Sequence, residues 1–147
     1  MDQVDRDLLK ALQLDARLTR KELGERVGLS PSAAADRLRR LEDSGAILGY
    51  RAELNPKALG FEMTAIVRVR PGLGQLKKIA DVASDTAEVI ECHRITGEDC
   101  YVMKIVFRSI DELEALIDRF TPLGQTTTSI VNATPVPARG LPVDAGS

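Results

Sequence analysis

TRKELGERVGLSPSAAADRLRRLEDSG, residues 19–45, decides the fold of the first third of this chain. It reads as two capped helices separated by a tight turn. Thr19 followed by Glu22 is a capping box: the Thr hydroxyl accepts from the backbone N–H three residues on, and the Glu carboxylate reaches back to the Thr N–H. Leu23 and Val27 give this helix an apolar side, and Gly28 breaks it. Ser30-Pro31 opens the next helix. Serine is a favoured N-cap, and proline in the first helical position gives up only an N–H that would be unpaired anyway. That helix runs to about Ser44 and stops at Gly45. Upstream, Val4, Leu8, Leu9 and Leu12 fall at helical spacing over residues 2–14, with Asp2 and Asp5 near the start, where the helix dipole favours acids. Three helices with a short turn before the third make a helix-turn-helix unit over residues 1–45.

On a wheel at about 100° per residue, Ala34, Leu38 and Leu41 of the third helix fall together and face a core. The opposite face holds Ser32, Asp36, Arg39 and Arg40, with Ala33 at its edge. Small residues at the helix start allow close entry into a major groove, and the arginines reach phosphates or guanine edges. The candidate DNA-binding residues are therefore Ser30, Ser32, Ala33, Asp36, Arg37, Arg39 and Arg40. Arg37 lies nearer the core stripe and suits an ion pair or a phosphate contact better than a base contact. Asp36 has two roles open to it: pairing with Arg39 or Arg40 at helical spacing, or accepting from a cytosine amino group. Charge distribution points to the same segment. The net charge is −2, yet residues 17–40 hold seven bases against three acids, while residues 60–147 hold nine against twelve. The electrostatic footprint of a nucleic-acid binder is local, so the total does not exclude one.

Beyond Gly45 the period changes. Residues 46–60 read as a linker strand with a turn at Asn55-Pro56. Residues 61–70 alternate, with Phe61, Met63, Ala65, Val67 and Val69 on one face and Thr64, Ile66, Arg68 and Arg70 on the other. A helix is predicted over 74–84, strands over 87–95 and 100–107 around the hairpin Thr96–Asp99, a helix over 110–120, and a Thr-rich strand over 125–134. The order βαββαβ is the ferredoxin-like arrangement, and it makes the chain α+β, with this second domain over residues 61–134. Two helices cover one sheet face. The other face, with Ile66, Val102 and Val106 or their alternates, has no helix and predicts a partner chain. The Pro/Gly-rich tail, 135–147, is expected to be poorly ordered at its end.

Several function classes are disfavoured. No apolar run approaches the ~18 residues of a membrane span, and MDQVDRDLLK carries acids where a signal peptide needs bases; a cytoplasmic protein with no membrane partner is expected. Aromatics make up 3% of the chain and Trp is absent, which leaves little for stacking on single strands. Cys92, Cys100 and the single His93 do not have the companions a metal site needs, so neither metal nor cofactor is expected; the thiols read as reduced and packed, or as a redox pair. No acid–base pair, Ser/Cys–His arrangement or phosphate loop marks an enzyme.

With VGLSPS, RLRRLE and the linker GAILGYRA at this spacing, then ITGEDCYVMKI and TTTSIV, the sequence resembles the Lrp/AsnC, or feast/famine, family of transcriptional regulators, over residues 1 to about 134. The resemblance implies a three-helix, winged-type DNA-binding domain, a linker strand and a βαββαβ ligand-binding domain. It also implies a homodimer joined through its sheets, assembling to a higher oligomer, commonly an octamer, with a small-molecule effector, usually an amino acid, in clefts between dimers. The effector loop of the family, commonly Gly-x-x-Asp-Tyr, corresponds to Gly97-Glu98-Asp99-Cys100-Tyr101, with Cys100 at the usual Asp position. The resemblance places Thr127, Thr128 and Ser129 of the last strand near the same cleft. Glu98 and Asp99 suit an ammonium, and the backbone beside Gly97 suits a carboxylate. Read without the resemblance, the same residues are a hairpin turn and a good strand. Two functions follow: a sequence-specific regulator of double-stranded DNA modulated by an effector, or an architectural DNA-compacting protein without one.

Overall fold

The computed structural model describes residues 1–144, and the end of the tail lies outside them. The chain divides into two units, residues 1–52 with the segment from 136 onward, and residues 53–135.

The first unit holds α1 (Gln3–Leu14), α2 (Arg20–Val27) and α3 (Pro31–Asp43). Each helix start is fixed by a side chain. The Asp2 carboxylate accepts from the Asp5 N–H at 2.9 Å while the Asp5 carboxylate accepts from the Asp2 N–H at 3.0 Å. Thr19 and Glu22 form the capping box read from the sequence, and the Ser30 hydroxyl accepts from the Ala33 N–H at 3.2 Å. Between α2 and α3 the chain reverses on Gly28, whose φ of 71° is a left-handed conformation that costs a residue without Cβ little. The Leu29 N–H then closes the turn on the Gly24 carbonyl at 2.8 Å. Leu8, Ala11, Leu23 and Leu41 are buried together, with Leu9, Leu12, Leu18, Val27, Leu38 and Ile47 packed around them.

Residues 46–60 do not form the expected strand. A strand needs a ladder partner, and among the described residues no strand pairing involves this segment. The start of the segment is held instead to α3: the Ile47 N–H donates to the Leu41 carbonyl at 3.1 Å and the Tyr50 hydroxyl to Glu42 at 2.9 Å. Its end is a 3-10 turn, Pro56–Leu59, begun by Asn55, whose side chain accepts from the Lys57 N–H.

The second unit runs β1 (Met63–Pro71), α4 (Leu76–Ser84), β2 (Val89–Arg94), β3 (Tyr101–Phe107), α5 (Ile110–Asp118) and β4 (Gly124–Ile130), with β4 ending four residues before the expected limit. The strands form one antiparallel sheet in the order β2-β3-β1-β4. Alternation sorts the two faces. Ala65, Val67 and Val69 of β1 and Met103, Ile105 and Phe107 of β3 are buried with Ile79 and Ala83 of α4 and with Leu113, Leu116 and Phe120 from α5 and its end. Each large apolar side chain so buried contributes about 1.5–3 kcal/mol. The other face is less apolar than expected. Ile66 and Val102 are half-buried and Val106 is buried, but Arg68, Arg70, Lys104, Glu91 and His93 share the face.

Candidate nucleic-acid interface and effector loop

The third helix presents a polar face set by its packing. Ala34 and Leu41 are buried, which turns Ser32, Asp36, Arg39 and Arg40 to solvent and leaves Ala33 half-buried at the margin. Ser30, the N-cap, lies 3.2 Å from Ser32, hydroxyl to hydroxyl. Asp36 and Arg39 stand 3.6 Å apart at an (i, i+3) spacing, about two-thirds exposed, so the pairing reading of Asp36 has a geometric partner. A surface pair of this kind is weak and leaves Arg39 free to turn to a phosphate or base.

Arg37 departs from the set. Its guanidinium lies 2.6 Å from Asp2 and 2.8 Å from Asp5, so it ties α3 to the N-terminal turn of α1. It is not on the outward face with Arg39 and Arg40. The Asp5 N–H, and after it Arg37, hold the Asp2 carboxyl at about 2, below its ordinary value. The same carboxylates raise the Arg37 pKa. Of the two roles open to Arg37, the geometry supplies the ion pair.

The loop that the sequence marks as a candidate effector site is a hairpin closed by the Ile95 N–H on the Cys100 carbonyl at 2.7 Å. Gly97 has a φ of 102° and Cys100 a φ of 53°. The Tyr101 N–H donates to the Asp99 carbonyl at 2.5 Å, forming a three-residue turn centred on Cys100. A left-handed backbone is costly for cysteine and much less so for Asn or Asp. The Cys100 thiol rests against the Gly97 carbonyl at 3.7 Å, and Cys92 and Cys100 are free thiols.

Glu98 and Asp99 are not bare anions awaiting a cation. Arg70 Nη2 donates to Glu98 at 2.5 Å, and Asp99 lies 3.9 Å from both Arg68 and Arg70. The sequence places Arg68 and Arg70 only on the uncovered face; it does not show their acidic partners in the hairpin loop. The signal was the β1 alternation combined with the strand order, since β1 lies between β3, which the hairpin feeds, and β4. On β4, Thr127 pairs with Arg68 and Ser129 with Ile66, so both join this face. Thr128 pairs with Val67 and faces the helix side. Tyr101 also turns inward, its hydroxyl donating to the Leu76 carbonyl at 3.1 Å. The expected effector set thus splits: Glu98, Asp99, Thr127 and Ser129 lie with Arg68 and Arg70, Gly97 and Cys100 shape the turn, and Thr128 and Tyr101 point away.

Comparison with known proteins accounts for both units. A winged helix-turn-helix DNA-binding model matches residues 1–47, and the Lrp/AsnC ligand binding domain matches residues 64–141. The chain is 42% identical over 131 residues to the HTH-type transcriptional regulator YezC of Bacillus subtilis, covering 89% of this chain and 93% of the relative. It is 36% identical over 129 residues to the HTH-type transcriptional regulator LrpA of Mycobacterium tuberculosis, covering 87% and 86%. The crystal structure of a transcriptional regulator from Neisseria meningitidis in complex with L-methionine superposes with a TM-score of 0.92 at 29% identity, covering 98% of this chain and 97% of that one.

Proposed function

The chain belongs to the Lrp/AsnC family of helix-turn-helix DNA-binding transcriptional regulators, and from that premise we propose that its effector is a free amino acid, bound where the hairpin carboxylates meet the β1 arginines. The observation that carries this reading is the juxtaposition of Arg68, Arg70, Glu98 and Asp99 beside Thr127 on the sheet face without helices. Two cations and two anions balance, as do the ammonium and carboxylate of a zwitterion. Glu98 already occupies Arg70; a ligand carboxylate takes its place, and the ligand ammonium falls to Asp99, which makes no close bond of its own. Charge-assisted hydrogen bonds of this kind are the strong ones. The L-methionine bound by the Neisseria relative supports an amino acid as the class.

In the same reading, Ser30, Ser32, Ala33, Asp36, Arg39 and Arg40 face the major groove, and Arg37 fixes the helix that carries them. The working form is a cytoplasmic homodimer that builds to an octamer. Ile66 and Val102 give the uncovered sheet face an apolar centre for a second copy, and segment 46–55, which pairs with no strand among the described residues, offers Leu48, Tyr50, Ala52 and Leu54 at alternate positions, all exposed. A specific observation favours the effector-free alternative: Glu98 is already paired with Arg70 and needs no ligand. Calorimetry of the full chain against the twenty amino acids, L-methionine first, decides. Saturable binding abolished by Arg70→Ala supports the effector reading, and no heat with any amino acid leaves the architectural one.

A further inference from the structure

The tail after β4 does not end with the regulatory unit. From Val136 it joins the DNA-binding unit and lies along α1. Gln13 grips it at two points: the Leu141 N–H donates to Gln13 Oε1 at 2.5 Å, and Gln13 Nε2 donates to the Leu141 carbonyl at 3.1 Å. One side-chain amide thus pairs with both backbone groups of one residue, as a neighbouring strand would. Three residues earlier on the same helix, Lys10 lies 2.8 Å from Asp144. Residues three apart share a helix face, so the two grips align. The approach is close enough that a Cβ on Gly140 would collide with Gln13 Oε1, and glycine leaves that space open.

We propose that residues 136–144 are a releasable strap on the DNA-binding unit, and that DNA affinity depends on Gln13 holding Leu141. The grips are polar and exposed, Val136 and Leu141 are 60% and 80% exposed, and Val143 is half-buried, so little apolar burial holds the strap down. Hydrogen bonds and ion pairs of this kind are individually weak, and the pair is screened by salt. Docked, the strap is held to α1 by the two Gln13 hydrogen bonds and the Lys10–Asp144 pair, all within the DNA-binding unit. It acts on α1, and α1 is tied to the recognition helix through Arg37 with Asp2 and Asp5. A path of named contacts therefore runs from the tail through α1 to α3. Releasing the strap frees α1, and through Arg37 the helix tied to it, so DNA binding must suppress more freedom and affinity falls.

The test uses the full chain carrying Gln13→Ala and, separately, Gly140→Ala. Gln13 is an exposed helix residue and Gly140 lies outside every helix and strand, so the fold is retained and circular dichroism checks it. Trypsin cleavage after Arg139, followed by mass spectrometry, reads release of the strap. Both variants are expected to accelerate it about tenfold, the loss of the two amide bonds being expressed as an opening equilibrium. Affinity for a duplex that the wild-type protein has enriched from a random pool is expected to fall about threefold or more in both. Unchanged cleavage in both variants refutes the strap. Faster cleavage with unchanged DNA affinity refutes its role in DNA binding. Neither measurement requires an effector, so the result stands apart from the reading of the hairpin site.

Discussion

Glu98 and Asp99 are adjacent carboxylates with opposite expected roles, and exchanging each for its amide separates them. Glu98 is 80% exposed and accepts from Arg70 at 2.5 Å, whereas Asp99 is 37% exposed and stands 3.9 Å from both Arg68 and Arg70. A zwitterionic ligand must displace Glu98 to reach Arg70, but can place its ammonium on Asp99 without breaking a close bond. Asp99→Asn then loses a charge-assisted hydrogen bond of about 1.5–3 kcal/mol. The loop is open to water, so the lower end applies, and about 1.5 kcal/mol is about tenfold in Kd. Glu98→Gln removes the competitor for Arg70 and is expected to leave affinity unchanged or to tighten it. Calorimetry with one amino acid across wild type and both variants reads the contrast. Equal weakening by both, or weakening by Glu98→Gln alone, refutes the assignment of ammonium to Asp99 and carboxylate to Arg70.

Arg40→Ala is expected to weaken DNA binding across sequences and to lower the slope of log affinity against log salt by about one unit, the signature of one lost phosphate contact, in a mobility-shift titration. Asp2 is held at about 2, while its unfolded value is near 3.8, so its contribution to stability is complete above that unfolded value and is lost as pH falls toward 2; acid unfolding followed by circular dichroism should be shallower over that range in Asp2→Asn. Cys100→Asn relieves a left-handed cysteine and should raise thermal stability by about 0.5–1 kcal/mol, and a lower melting temperature would show that the thiol contact with Gly97 outweighs the backbone.

What the sequence revealed and what it hid divide along sequence separation. The Thr19–Glu22 box and the Ser30 cap lie within one helical turn, where spacing alone specifies geometry. The first strand of the second unit followed from period-two alternation, which places Val67 inward and Arg68 outward whatever the rest of the chain does. The contacts that give the candidate sites their character are long-range. Arg37 meets acids 32 and 35 residues away, Arg70 meets Glu98 across 28, and Gln13 meets Leu141 across 128. No local pattern encodes those pairings. The wheel did place Arg37 beside the core stripe, and that was enough to separate it from Arg39 and Arg40 without naming Asp2. The linker failed for the complementary reason. Leu48, Tyr50 and Leu54 alternate as a strand does, but alternation states only that a backbone can pair, and the partner has to come from elsewhere. Among the described residues none is supplied, and the same side chains remain exposed. A segment with strand periodicity, exposed apolar side chains and no partner in its own chain is where a second copy of this protein has most to gain, so the one sequence-read element missing from the monomer is also the one that argues for the dimer.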